Sequence, residues 1–146
     1  MEPITLVAIT EANFREYTRL QTQPEQENFV APNVYSIAQV YVNPTWVPLG
    51  IAAGSVGVGF ALLGRDADTG HDWIIRFMIG AEHQGKGYGK AALLAVIEHL
   101  KATPGNHEIR LSYVPGNETA EGLYRRVGFV PTGEVDDGEI VMRLAQ

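Results

Sequence analysis

The chain has 146 residues, a formal net charge of −6, 45% hydrophobic and 19% charged residues, and no cysteine. That length fits one domain over residues 1–146 with a core of its own. The missing cysteines exclude disulfides, thiolate metal sites and cysteine nucleophiles, and the acidic balance argues against nucleic acid as the main partner.

Met1–Ala12 carries Glu2 and Glu11 with no basic or long apolar run, and no stretch is apolar enough to span a bilayer. A soluble, cytoplasmic protein without membrane association is therefore expected. Ile4–Ile9 reads as a first strand, with Thr10 as N-cap of a helix over Glu11–Gln21. Pro24 ends that helix, and Gln26–Asn33 is polar and turn-like. After Pro32, Asn33 is placed to cap a helix whose apolar stripe is Val34, Ile37, Ala38 and Tyr41, stopped by Pro44.

Trp46–Ala53 and Ser55–Leu63 read as a hairpin joined at Gly54, although the favoured Asn-Gly turn is absent. Gly57 and Gly59 leave one face of the second strand bare, open to a ligand or to another backbone. A polar loop over Arg65–Asp72 follows. Trp73–Ile79 is almost continuously apolar, as in a strand buried on both faces. The helix after residue 87 presents Leu93, Val96, Ile97 and Leu100 to a core, and Pro104-Gly105-Asn106 ends it. Ile109–Val114 is a strand, Pro115-Gly116 a turn, and Asn117 the cap of a helix through Val127 closed by Gly128. Phe129–Val135 and Glu139–Leu144 are final strands around Asp136-Asp137-Gly138, and such edge strands leave a homodimer open. The order describes an α/β fold: a mixed central sheet of about six to seven strands with helices on both faces.

Between the strand ending at Ile79 and the next helix lies the densest signal, Gln84-Gly85-Lys86-Gly87-Tyr88-Gly89-Lys90. Strand, glycine-rich turn and helix N-terminus bind phosphate, because glycines admit close approach and the first helical N–H groups are unpaired. The Walker pattern fails at Gly87, where a Ser or Thr should bind magnesium, which also argues against a kinase or nucleotide hydrolase. The dinucleotide fingerprint fails at Lys90, where a small residue should stand. Downstream, Asn117, Ala120 and Tyr124 are three and seven residues apart and share a helix face. That pattern is also what an ordinary capped helix with a core stripe would show.

Gln84-x-x-Gly87-x-Gly89 resembles the pyrophosphate-binding loop of the GNAT superfamily of N-acetyltransferases. Asn117-x-x-Ala120-x-x-Leu123-Tyr124-x-x-x-Gly128-Phe129 is similar to the superfamily's second acetyl-CoA segment, in the expected order. Finer likeness, to bacterial spermine/spermidine (diamine) acetyltransferases, rests on Glu27–Gln39, Trp73–Ile79 and Gly138-Glu139. The resemblance implies a GNAT fold and direct transfer of an acetyl group from acetyl-CoA to a primary amine such as spermidine or spermine. Under it, Gln84, Gly85, Lys86, Gly87, Tyr88, Gly89 and Lys90 hold the pyrophosphate, chiefly through backbone amides. Asn117 meets the pantetheine, and a main-chain N–H of Phe77, Met78 or Ile79 polarises the thioester carbonyl. Tyr124 protonates the departing thiolate.

The amine must lose a proton first, since a free alkylammonium has a pKa near ~10.4. Several relatives of this kind carry an acid just before the Arg-Phe pair, where this chain has Ile75. The base is thus left open; attention moves to Glu27, Asp72 and the Asp66/Asp68 loop, with Glu27 and Asp72 as the acidic residues expected at the substrate. His71, His83, His99 and His107 lack ligand spacing and read as surface residues, so no metal is expected. Other readings are acetylation of a protein N-terminus, an aminoglycoside or another small amine, and a non-catalytic acyl-CoA-binding module.

Overall fold

A computed structural model of the chain describes residues 2–105 and 107–145; Asn106, read above as part of the stop that ends a helix, lies outside the described residues. The elements are β1 (Ile4–Ala8), α1 (Phe14–Arg19), α2 (Asn33–Val42), β2 (Val47–Ala53), β3 (Val56–Arg65), β4 (Asp72–Ile79), α3 (Tyr88–Lys101), β5 (Ile109–Tyr113), α4 (Glu118–Val127), β6 (Phe129–Asp136) and β7 (Glu139–Leu144). Single 3-10 turns occupy Pro24–Gln26 and Ala81–His83. The element order is the one expected. Among the described residues no helix is long and apolar enough to cross a membrane.

One seven-stranded sheet runs β1-β2-β3-β4-β5-β7-β6. All neighbours pair antiparallel except β4 and β5. Because alternate side chains of a strand face opposite ways, β3 feeds two cores. Ala61 and Leu63 join the larger one with Leu93, Val96 and Ile97 of α3 and Phe129. Phe60 and Leu62 join Met78 in the smaller one, under Ile37 and Val40 of α2. Trp73, Ile75, Arg76 and Phe77 are only half-buried, so β4 is less enclosed than its apolar run implies.

Several local expectations are corrected. The first helix begins at Phe14, because the Asn13 side chain ties the turn: its Oδ1 accepts from the Thr10 N–H and its Nδ2 donates to the Ala8 carbonyl. In α2 the inward residues are Asn33, Ser36, Ile37 and Val40, while Val34, Ala38 and Tyr41 are exposed. Asn33 does not cap that helix; buried, it donates to the Tyr17 carbonyl at 2.9 Å. The bare positions of β3 are closed in two ways: a Cβ on Gly57 would lie 2.9 Å from the Tyr17 ring of α1, and one on Gly59 would lie 2.5 Å from the Met78 carbonyl of β4, the close backbone approach that was one of the two expectations.

The C-terminal strand is not an edge either. β7 lies between β5 and β6, leaving β1 and β6 outermost. β6 carries Pro131 and loses register between Pro131 and Val135, both of which blunt an edge.

One feature of the sheet makes room for a site. The parallel pairing of β4 with β5 covers only Asp72↔Ile109, Trp73↔Arg110 and Ile74↔Leu111. Beyond Ile74 the two strands part, and β4 continues to Ile79 paired with β3 alone. Ile75 marks the parting. Leu62 and Leu63 pair with Arg76 and Ile74, leaving Ile75 as the extra residue of a bulge, a device that re-aims neighbouring side chains.

Candidate active site

Two cavities open where β4 and β5 diverge. The first, about 310 Å³, runs from Phe77, Met78 and Ile79 past Gln84, Gly85, Gly87, Gly89 and Lys90 to Asn117, Ala120, Tyr124 and Arg126. The second, about 320 Å³, is lined by Glu27, Ile75, Arg76, Ser112, Tyr113 and Glu139 among others. Val30, Phe77, Asn117, Ala120 and Tyr124 border both. Both are of the size of small-ligand sites.

The first cavity is built for an anion. Gly85 and Gly87 take left-handed backbone, φ +77° and +86°, which turns the chain from β4 into α3. The 14-residue α3 then starts with no side-chain cap and no acidic residue in its first turn. Its leading N–H groups and dipole are left for a negative ligand. The contrast with α4 is sharp: there Asn117 Oδ1 accepts from the Ala120 N–H at 3.3 Å, with Glu118 and Glu121 in the first turn.

Gly89 tests the fit to a phosphorylated ligand. Its φ is not positive, and an added Cβ would find only Leu123 at 3.5 Å and Ile79 at 3.9 Å, ordinary contacts. Neither backbone nor packing demands glycine there, yet the position lines the cavity, where a side chain would occupy the ligand's space. Lys90 and Arg126 supply positive charge at the rim. Neither they nor Lys86 enter an ion pair among the described residues.

Not every residue of the expected set reaches in by its side chain. Lys86 and Tyr88 line neither cavity; Lys86 is exposed, and the Tyr88 ring packs on the larger core. The Gln84 side chain is engaged inside the protein. Its Nε2 donates to the Ile79 carbonyl at 2.9 Å and to Gln26 Oε1 at 3.0 Å. Gln26 Oε1 also accepts from the Gln23 N–H at 3.1 Å. The glycine-rich loop is thereby stitched to the segment over residues 22–32, which walls both cavities.

Tyr124 stands at the junction. Its ring, 7% exposed, lies 6.5 Å from that of Tyr113 and 6.1 Å from that of Phe129. Burial, and secondly the Glu139 charge, push its phenol up to about 12. It therefore holds its proton at any working pH. Tyr113 is also raised, by burial and then by Glu121.

The acidic candidates separate. Glu27 lines the second cavity. Asp72 does not: it begins β4 at the paired end, is 4% exposed, and meets Arg65 Nε at 3.0 Å. It lines neither cavity, and its Oδ2 is buried without a partner among the described residues. Glu139 takes its place. It opens β7, lines the second cavity, and accepts a hydrogen bond from Ser112 Oγ at 2.9 Å. Sequence reasoning missed Glu139 because β7 reaches the cavity only by inserting beside β5, and it also missed Arg126 of α4. The one signal was the Gly138-Glu139 pair itself. Of the histidines only His99 is exposed; His107 is tied to the Gly70 and Pro104 carbonyls.

Residues 50–129 match the model of the acetyltransferase (GNAT) family. The chain is 32% identical over 146 residues to the spermine/spermidine N(1)-acetyltransferase of Bacillus subtilis strain 168, covering 95% of this chain and 96% of that one. The structure is similar to that of spermidine N-acetyltransferase from Vibrio cholerae in complex with CoA and spermine, with a TM-score of 0.75 and 18% identity over 96% of this chain and 92% of that one. It is also similar to the aminoglycoside acetyltransferase AAC(6′)-Ib in complex with coenzyme A, with a TM-score of 0.80 and 20% identity over 99% and 95%.

Proposed function

The chain belongs to the acetyltransferase (GNAT) family, as an acetyl-CoA-dependent N-acetyltransferase, and on that premise we propose that its acceptor is a polyamine attacked directly in a ternary complex. The observation that carries this reading is the meeting of two cavities at Tyr124, one fitted to an anion and the other holding Glu27 and Glu139. A donor and an acceptor can be bound together only if their sites share a wall, and effective concentration then supplies much of the rate.

The donor's phosphates suit the backbone amides of Gln84–Lys90 and the bare start of α3, with Lys86, Lys90 and Arg126 adding charge. Asn117 borders the stretch leading to the junction. Past Ile74 the β5 side of β4 has no strand partner, so main-chain N–H groups of Phe77–Ile79 are candidates to polarise the thioester carbonyl. Acetyl-CoA supplies the activated acyl group; the protein orients it and moves protons. Tyr124, protonated and beside both cavities, serves as the acid for the departing thiolate.

On the acceptor side, two carboxylates suit a cation. Arg76 limits how it lies. Its guanidinium, bonded to the Ile75 carbonyl and to Gln39 Oε1 in the same wall, repels a second ammonium. One terminal amine therefore enters toward Glu139 and Tyr124 while the remaining charges point outward past Glu27. The Bacillus relative's name, spermine/spermidine N(1)-acetyltransferase, supports the same acceptor class. A thiol-release screen with acetyl-CoA against spermidine, spermine, an aminoglycoside and a peptide with a free N-terminus tests it. Turnover of spermidine is expected. Turnover of the peptide or aminoglycoside with spermidine inert overturns the polyamine reading.

A further inference from the structure

We propose that Glu139, oriented by Ser112, is the carboxylate that accepts the proton of the attacking ammonium. This deepens the acceptor reading above and rests on it for the presence of an amine in the second cavity.

The place where an acid is expected from resemblance is filled by Ile75. That residue forms the bulge of β4, leans on the smaller core, and packs where a Cβ on Gly64 would be 2.8 Å from its Cδ1. It still lines the second cavity, so the cavity keeps its place but its β4 wall carries no carboxylate. Of the two carboxylates that do line it, that of Glu27 is exposed on an irregular segment and takes no hydrogen bond among the described residues, although the Glu27 backbone N–H donates to the Pro24 carbonyl. Glu139 is half-buried at the start of a strand, with Oε1 fixed by Ser112 at 2.9 Å and no partner for Oε2 among the described residues. Its charge is felt at Tyr124. A base must be fixed and must lie near the acid that completes the transfer, and only Glu139 meets both conditions.

The fixation comes from topology. β7 pairs with β5 through Ser112↔Val141 and Tyr113↔Ile140, so Glu139 sits just past the end of that ladder, at the mouth of the gap. The groups around it are Ser112 and Tyr113 on β5, Tyr124 on α4, Arg76 on β4, Glu27 on the segment before α2, and Asp136, its register partner on β6. The proton balance closes. The ammonium gives one proton to Glu139, and the freed lone pair forms the N–C bond as the C–S bond breaks. Tyr124 protonates the sulfur and recovers a proton from the same nitrogen, and Glu139 then releases its own to solvent. The products are the N-acetylated amine, a thiol and one proton.

The test is kcat/KM against pH from 6 to 10, using whichever amine turns over best in the screen, so that a wrong acceptor class leaves it intact. Glu139→Gln keeps an oxygen for Ser112 and removes only the base. At pH 7 it is expected to lose about 100-fold or more, with the deficit shrinking toward pH 10 as the amine arrives unprotonated. Ser112→Ala, which frees the carboxylate without removing it, loses several-fold with the same narrowing. Glu27→Gln raises KM but keeps the wild-type profile shape. Binding of acetyl-CoA, measured by calorimetry, stays within twofold in all three and shows that they are folded. A Glu139→Gln deficit under threefold at pH 7, or one that is constant across pH, overturns the proposal.

Discussion

Exchanging Tyr124 for phenylalanine removes one oxygen from the point where the two cavities meet. The ring contacts with Tyr113 and Phe129 depend on shape and survive the change. Catalysis loses its acid, which costs about 10²–10⁴ in rate, or about 3–5 kcal/mol on the barrier. Stability behaves differently. A phenol held up to about 12 against an ordinary 10.0 binds its proton more tightly folded than unfolded. Its contribution is complete below pH 10 and is lost as pH rises through 12. The full gap is worth about 3 kcal/mol, of which about 1.4 is gone at pH 11. Tyr17 and Tyr113 are shifted the same way and remain in the variant, so the comparison isolates position 124. Thiol release at saturating amine and acetyl-CoA should show kcat down at least 100-fold. Denaturant unfolding at pH 8 should change by less than about 0.5 kcal/mol, while the loss between pH 8 and pH 11 should be about 1.4 kcal/mol smaller than in wild type. A kcat within threefold of wild type would refute the acid role, and equal alkaline losses would refute the burial argument.

Three further substitutions probe other parts of the site. Gly89→Ala should raise stability by about 0.5–1 kcal/mol, since the position is helical and uncrowded. It should nevertheless weaken acetyl-CoA binding at least fivefold by calorimetry; unchanged affinity would mean that the cavity does not follow Gly89. Gln84→Ala breaks the stitch to Gln26 and Ile79, with an expected loss of about 1–3 kcal/mol. Its amine KM should rise more than its acetyl-CoA KM, because the backbone amides of the loop remain; an unmoved amine KM would show that residues 22–32 need no anchor. Asp72→Asn should cost about 1 kcal/mol in unfolding through its contact with Arg65 and leave kcat and both KM values within twofold. A change in amine KM there would return Asp72 to the substrate.

What could be read from the sequence was what neighbours in the chain decide. Gly87 before a helix, Asn117 as a cap, Gly128 as a stop and Asp136-Asp137-Gly138 as a turn are local signals, and each lies where expected. Misreadings fell where a distant segment decides. The glycines of β3 signalled a close approach but not by what: Gly59 faces the Met78 carbonyl of the neighbouring strand, and Gly57 the ring of Tyr17, some forty residues earlier. Periodicity marked a stripe on α2, but the inward face was set by Asn33 reaching Tyr17 and Met78. Glu27 and Asp72 were equivalent as acids in sequence. One lines a cavity and the other is buried against Arg65, because the gap opens at only one end of β4.

The same division explains why the donor half of the site is easier to read than the acceptor half. A donor held by backbone, as proposed, calls for contiguous residues: a strand end, a glycine turn and a helix start. The acceptor cavity has no such requirement. Its walls come from the segment before α2, the bulge of β4, the end of β5 and the start of β7, four pieces assembled only by the sheet order. A carboxylate can be supplied from any wall, so an isoleucine at position 75 does not imply a missing base. It implies that the base must be sought across the gap, where Ser112 holds Glu139 at 2.9 Å.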